Sequence, residues 1–255
     1  MKVAGIQWNV RLGDCEYNYA MAEKYIIKAA KQGNELLVLP ELWNTGFFPK
    51  NIYDIADEKG NYTQAFLQRL ATTLGVHIIG GSVAVREQKR LYNRLYTVTR
   101  TGEIVCTYDK VHLFTRGHED EYFSAGFRCG RWQLDGISMG AILCYDLRFG
   151  GWIQKVMNEP CDVLFVSAAW PTKRGMHWDL LNRARAIEHQ CYVVAVNTCG
   201  SILYGHSQVI DPWGNILVQA GIEDEIIEGE IKPETVVEIR NKIPVQADIR
   251  KDLYR

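Results

Sequence analysis

A thiol, a carboxylate and an amine each stand at the end of a strand-like segment in this sequence, and the thiol is the first candidate nucleophile. The thiol is Cys144, in ISMGAILCYDLRF (137–149). The run breaks at Cys144 into polar and charged residues, with Gly150 and Gly151 beyond and a helix-like segment from Trp152 to Asn158. Open α/β sheets place their chemistry at such strand ends. A packed, inert cysteine is the competing reading, because free Cys is among the most buried residue types. The carboxylate is Glu41, after the short run Leu36 to Leu39 and Pro40, inside PELWNTGFF. A solvated charge is its ordinary fate, but an ionised carboxylate in aromatic company needs a partner or a raised pKa. The amine is Lys110, where the segment Glu103 to Asp109 ends. Base rate favours a surface lysine there. Nine residues on, Glu119 sits with Asp120 and Glu121, where a solvated acidic cluster is the default.

The elements that must position these groups follow from periodicity. Val3 to Trp8 reads as a strand and Asn18 to Gln32 as a helix ended by Gly33 and Asn34. Leu36 to Leu39 has the continuous apolar character of a strand covered on both faces. Thr63 to Leu74 is a helix, starting near Asn61 and stopped by Gly75. His77 to Val85, Leu91 to Arg100 and Glu103 to Asp109 read as strands in two successive antiparallel pairings. Tyr108 to Gly126 is a long polar loop, and long loops in compact domains are usually functional. Asp162 to Ala168 is another buried-type strand, leading to Ala169, Trp170 and Pro171, and His177 to Gln190 has helical period. Strands follow at Tyr192 to Asn197, Ser207 to Asp211, Ile216 to Gln219 and Ile226 to Ile231, with a last helix at Pro233 to Asn241. The expected fold class is α/β: two mixed sheets packed face to face with helices outside, in one domain spanning 1–255 with 243–255 as a C-terminal tail.

The totals narrow the function. The chain has 255 residues, of which 47% are hydrophobic, enough to fill a large core. Its formal net charge of -1 is spread along the length, so no electrostatic footprint for nucleic acid or anionic membrane exists, and a small molecule is the expected partner. Seven cysteines, an odd count without a C-x-x-C pair, point to reduced thiols in a cytoplasm. The amino terminus lacks the pattern of a secretory signal, and no apolar run reaches the ~18 residues of a membrane span. The six histidines show no metal-ligand spacing.

The segments LPELWNTGF, YDKVHLF and ILCYDLRF resemble, in order, the three signature blocks of the nitrilase superfamily of carbon-nitrogen hydrolases. The resemblance runs from the opening AGIQWN to the hairpin around DPWGN. It implies a four-layer αββα sandwich, with Glu41, Lys110 and Cys144 as catalytic triad and a second glutamate in the loop after the lysine. Counting back from Ser124, Ala125 and Gly126, that glutamate aligns with Glu119, with Glu121 the nearest competitor. CYDLRF and VSAAWPTKRGMHWDLLNRARAIEHQCYVVAVN are similar to the omega-amidase branch, whose members hydrolyse the terminal amide of 2-oxoglutaramate and 2-oxosuccinamate without a cofactor. Gly150 and Gly151 stand where many relatives carry Pro-Glu or Ala-Glu. Family members commonly form homodimers through helices near the active sites, and His177 to Gln190 is the candidate helix here.

The implied roles answer a chemical need. An amide carbonyl is a poor electrophile, and a thiol with a pKa near ~8.5 is mostly protonated at neutral pH. Glu41 fits the base that takes the thiol proton, then the acid for departing ammonia. Lys110 and the backbone N–H of Tyr145 fit an oxyanion hole, and Glu119 fits a group that positions Lys110. An anionic substrate needs a cation, for which Arg116, Arg148, Lys173 and Arg174 are within reach in sequence. Arg148 stands equally to be a structural arginine paired with a core carboxylate. Trp170 and Phe47 are candidate pocket walls, with plain core packing as the alternative. Competing functions are an amidase for another small linear amide such as an N-carbamoyl amine, a non-catalytic interaction module of the same fold, and a redox-active cysteine protein.

Overall fold

The computed structural model describes residues 1–250, 252 and 253. The run at Leu36 shows in miniature why the chain forms layers. Leu36 and Val38 pack with Val3, Leu95, Tyr108, Phe165 and Val194, whereas Leu37 and Leu39 pack on the opposite side with Ile26, Phe66, Leu67 and Leu70. Successive side chains of a strand point to opposite faces, so a strand covered on both has no polar side to alternate with. The same logic holds for Val163 and Phe165 against Leu164 and Val166 in the second sheet. Full burial of one such side chain contributes about 1.5–3 kcal/mol.

In chain order the elements are β1 (Lys2–Gln7), α1 (Cys15–Lys31), β2 (Leu36–Val38), α2 (Ile52–Ile55), β3 (Asp57–Glu58), α3 (Asn61–Leu74), β4 (His77–Glu87), β5 (Arg90–Val98) and β6 (Ile104–Asp109). Then come α4 (Glu119–Tyr122), β7 (Gly130–Leu134), β8 (Ile137–Leu143), α5 (Gly150–Val156), β9 (Val163–Ala168), α6 (Gly175–His189), β10 (Tyr192–Asn197) and β11 (Gln208–Ile210). The chain continues through β12 (Ile216–Gln219), β13 (Glu225–Glu230), α7 (Pro233–Lys242) and α8 (Val245–Asp248).

One sheet has the order β13-β1-β2-β4-β5-β6, with β3 paired to β4; the other runs β12-β11-β10-β9-β8-β7. Both are mixed: β1, β2 and β4 are parallel, as are β8, β9 and β10, and antiparallel strands complete each edge. One apolar cluster joins the inner faces of the two sheets; α1 and α3 cover the outer face of the first, and α5 and α6 that of the second. The result is the αββα sandwich. Because β5 pairs antiparallel with both β4 and β6, β6 runs in the direction of β4 and β2. The carboxyl ends of β2 and β6 therefore share one edge.

Several boundaries differ from the sequence reading. The first helix starts earlier, at Cys15, because Asp14 accepts from the Tyr17 N–H at 3.1 Å as its N-cap. β7 was not read from the sequence at all; it buries Trp132 and Leu134 and turns Arg131 and Gln133 outward. The polar loop 108–126 carries a 3-10 turn at Thr115–Gly117 and the single turn α4. The segment expected as a featureless tail contains α8, while 251, 254 and 255 lie outside the described residues.

Candidate active site

Glu41 is fixed by close approach of two backbones. β4 has an irregularity between Ile79 and Ser82, and Gly81 there has φ +58°. A Cβ at Gly81 would collide with the carbonyl oxygens of Leu39 and Pro40, so only glycine lets β4 pass this close. Ser82 N–H donates to Pro40 O at 3.0 Å, its hydroxyl accepts from Leu42 N–H at 3.0 Å, and Ser167 Oγ donates to Leu39 O at 2.7 Å from the other sheet. The segment entering Glu41 is thus tied to both sheets. The Glu41 side chain is buried, with Oε2 accepting from Ala169 N–H at 2.9 Å.

Lys110 follows β6 and is also buried. Its Nζ donates to Glu41 Oε1 at 2.8 Å and to Glu119 at 2.7 Å (Oε2) and 3.0 Å (Oε1). The intervening loop closes where Gly126 N–H donates to Lys110 O at 2.8 Å. Glu119 is turned inward by α4, and Phe114 N–H donates to its Oε2 at 2.7 Å. Glu121, the competing choice, is exposed and pairs with His118 at 2.8 Å. Glu119 is therefore the second carboxylate of the cluster. Asn93 on β5 completes it, its Nδ2 donating to Glu41 Oε1 at 2.9 Å and to Glu119 Oε1 at 3.0 Å.

Cys144 directly follows β8 with φ +41°, a conformation that L residues avoid, and begins a 3-10 helix through Arg148. The turn is braced by the buried Asp146. Its carboxylate accepts from Leu143 N–H at 3.1 Å, Tyr108 OH at 2.7 Å and His112 N–H at 2.8 Å, with His112 Nδ1 also at 2.8 Å. The lysine-bearing segment and the thiol-bearing turn are thereby locked together. As an early residue of that helix, Tyr145 has a backbone N–H without an intrahelical acceptor.

Burial pushes the Cys144 thiol well above its ordinary value, and the Glu41 charge raises it further against the pull of Lys110. The resting group is a thiol whose proton must be removed during reaction. Burial opposes the Lys110 charge, yet Glu41 and Glu119 beside it hold the ammonium above its usual range. Glu119 is raised by burial and by Glu41, in spite of Lys110. All three hydrogen bonds of Lys110 Nζ go to the two carboxylates, so what it offers a developing oxyanion is its positive charge.

Glu41 and Cys144 open onto a pocket of about 450 Å³ that is also lined by Phe47, Tyr145, Trp170 and Arg148. Trp170 does both things weighed for it, packing on Trp178 at 5.7 Å and walling the pocket. Arg148 and Arg174 line it; Arg116 and Lys173 do not. Arg116 is exposed on the 3-10 turn, which corrects its placement at the site, because the turn that brings Glu119 inward carries Arg116 outward. Nor is Arg148 paired with a core carboxylate: its guanidinium lies 4.8 Å from the Trp170 ring centroid and donates to His177 Nδ1. Among the described residues no carboxylate oxygen lies within 4.0 Å of either arginine's charged nitrogens.

Residues 2–241 match the family model described as carbon-nitrogen hydrolase. The chain belongs to the carbon-nitrogen hydrolase family. It is 43% identical to the 2-oxoglutaramate amidase of Bacillus subtilis, over 99% of this chain and 98% of that one. The omega-amidase NIT2 of Danio rerio is 32% identical, with 93% of this chain and 90% of that chain covered. Among solved structures, a CN-hydrolase superfamily protein of Xanthomonas campestris with an arsenic adduct in its active site superposes with a TM-score of 0.91 at 30% identity, covering 98% of this chain and 97% of that one. As a family member the chain is an enzyme with the αββα fold expected from its three blocks.

Sequence reasoning missed Asn93, Asp146 and His177. Asn93 lies inside a strand, where asparagine is disfavoured, and that local misfit was the available signal; Asp146 is buried among the polar residues beyond the run and gave none. His177 gave no such signal.

Proposed function

We propose that this enzyme hydrolyses the terminal amide of a small 2-oxo acid, of the 2-oxoglutaramate or 2-oxosuccinamate type, to the carboxylate and ammonia without a cofactor. Cys144 Sγ attacks the amide carbonyl as Glu41 takes the thiol proton. Lys110 and the Tyr145 N–H hold the oxyanion. Glu41 returns its proton to the departing ammonia, leaving a thioester, and then activates the water that cleaves it. Glu119 and Asn93 hold Lys110 and Glu41 in place. The observation that carries the substrate class is the pair of guanidiniums, Arg148 and Arg174, lining the thiol's pocket with no carboxylate partner among the described residues. A neutral amide would leave that charge unanswered. The names of the relatives at 43% and 32% identity point the same way.

The test compares kcat/KM for 2-oxoglutaramate and 2-oxosuccinamate with that for a chain-matched neutral amide and an N-carbamoyl amine. The oxo acids should lead by about 10²-fold or more, since a site built for a polar partner rejects analogues that lack it. Preference for either comparison substrate would overturn the substrate class and leave the cysteine chemistry standing.

The enzyme is proposed to work as a homodimer in the cytoplasm. All seven cysteines are unpaired, in keeping with a reducing compartment. Among the described residues no helix is long and apolar enough to cross a membrane. α6 presents Met176, Leu180 and Ile187 to solvent, and the turn bearing exposed Trp213 is tied alongside by Arg183 Nε donating to Gly214 O at 2.9 Å. A second copy would cover this apolar face. Light scattering should give twice the chain mass, and Leu180→Asp should shift it to monomer. A wild-type monomer at working concentration would remove the proposal.

A further inference from the structure

We infer that His177 is a positioning residue for substrate specificity, aiming Arg148 at the substrate carboxylate without neutralising it. This rests on the anionic-substrate reading above and adds the residue that sets its strength. Both terminal nitrogens of Arg148 donate to His177 Nδ1 at 3.1 Å, a fork closed on one lone pair. A guanidinium nitrogen can only donate, so Nδ1 meets it with its lone pair. The remaining contacts of that guanidinium are aromatic, Trp170 at 4.8 Å and Tyr145 at 6.0 Å from the ring centroids.

An arginine elsewhere in this chain shows the contrast. Arg94 is gripped by Asp109 at 2.6 Å and Glu87 at 3.2 Å, and its charge is spent inside the protein. Arg148 is instead held by groups that orient it and carry no opposing charge. Its half-buried position, and then the nearby Arg174 charge, pull its pKa below the ordinary value, so the site gains most when an anion arrives. A carboxylate at position 177 would close an ion pair and compete with the substrate.

The location explains how His177 does this without touching the reacting atoms. It lies in the first turn of α6, whose start is fixed by Trp178, buried and donating from Nε1 to His206 O at 2.9 Å. The 3-10 turn before it carries Arg174, whose carbonyl accepts from Trp170 Nε1 at 2.8 Å. One short segment thus presents the Arg174 guanidinium, the indole on which Arg148 rests and the imidazole that Arg148 donates to.

The experiment measures kcat and KM for 2-oxoglutaramate and for a chain-matched neutral amide in wild type, His177→Phe, His177→Asn and His177→Asp. Phe keeps a ring but removes the acceptor, and KM for the oxo acid should rise about 3- to 10-fold, as expected for losing an exposed hydrogen bond to a charged group, with kcat changing less than about twofold. Asn returns an acceptor near the Nδ1 position and should restore KM. Asp should raise the oxo-acid KM more than Phe does, because it cancels the guanidinium. The neutral amide's KM should move far less in all three. Equal behaviour of Phe and Asn, or a fall in kcat alone for both substrates, would overturn the role of His177 while the substrate class stands. A wild-type enzyme that does not prefer the anionic amide would overturn both. His177 is solvent-exposed, so the variants should keep the wild-type Tm.

Discussion

Replacing Cys144 by alanine should lower kcat by about 10⁴-fold or more, with the fold intact, because the proposed route has no other nucleophile. Stability should change little on removing one sulfur, although φ +41° at this position is no more comfortable for alanine than for cysteine. The matching positive result is an acyl adduct. Mass spectrometry of a wild-type reaction quenched in acid should show the substrate's acyl mass, less ammonia, on the peptide carrying Cys144. Undiminished turnover in Cys144→Ala would end the thioester mechanism.

Glu41→Gln should cost about 10²–10⁴-fold in kcat, the range for a positioned general acid-base. The shape is nearly conserved but the hydrogen bonding is not. Glu41 accepts from Lys110 and Asn93 on one oxygen and from Ala169 N–H on the other. A glutamine that keeps its oxygen towards Lys110 must turn its amide NH₂ towards another donor. The substitution also removes a negative charge that raises the Cys144 thiol pKa. The sign follows directly: with Glu41 neutral, the thiolate forms more easily, and the midpoint for alkylation of Cys144 should move to lower pH than in wild type. Slower turnover together with an earlier alkylation midpoint separates a lost base from a damaged site. A wild-type rate in Glu41→Gln would place the base elsewhere.

Strand ends were legible because strands buried on both faces leave unbroken apolar runs. Leu36 to Leu39 and Met139 to Leu143 announce themselves in this way, and the polar and charged residues soon after each run mark the sheet edge. β7 was missed because Trp132 and Leu134 alternate with Arg131 and Gln133 over only five residues, too short a pattern to stand apart from the preceding loop. The one-turn helices at Ile52–Ile55 and Val245–Asp248 have no period to read. Their form depends on contacts outside themselves.

The sequence by itself determined the alternation of strands and helices and the strand ends at which Glu41, Lys110 and Cys144 stand, while their joint role was what the resemblance to the nitrilase superfamily implied. Only the tertiary structure decided which neighbours serve them. Glu119 and Glu121 are two residues apart, and a single turn of helix sends one to Lys110 and the other to solvent. Asn93 comes within 3.0 Å of both carboxylates across 52 and 26 residues of chain, and His177 meets Arg148 across 29. Such pairings depend on how separate strands and turns meet at one edge, and no periodicity along the chain encodes them. The physical reason is range: burial and hydrogen-bond patterns within an element repeat every two or 3.6 residues, whereas charge placement in a pocket is fixed only once both sheets have packed.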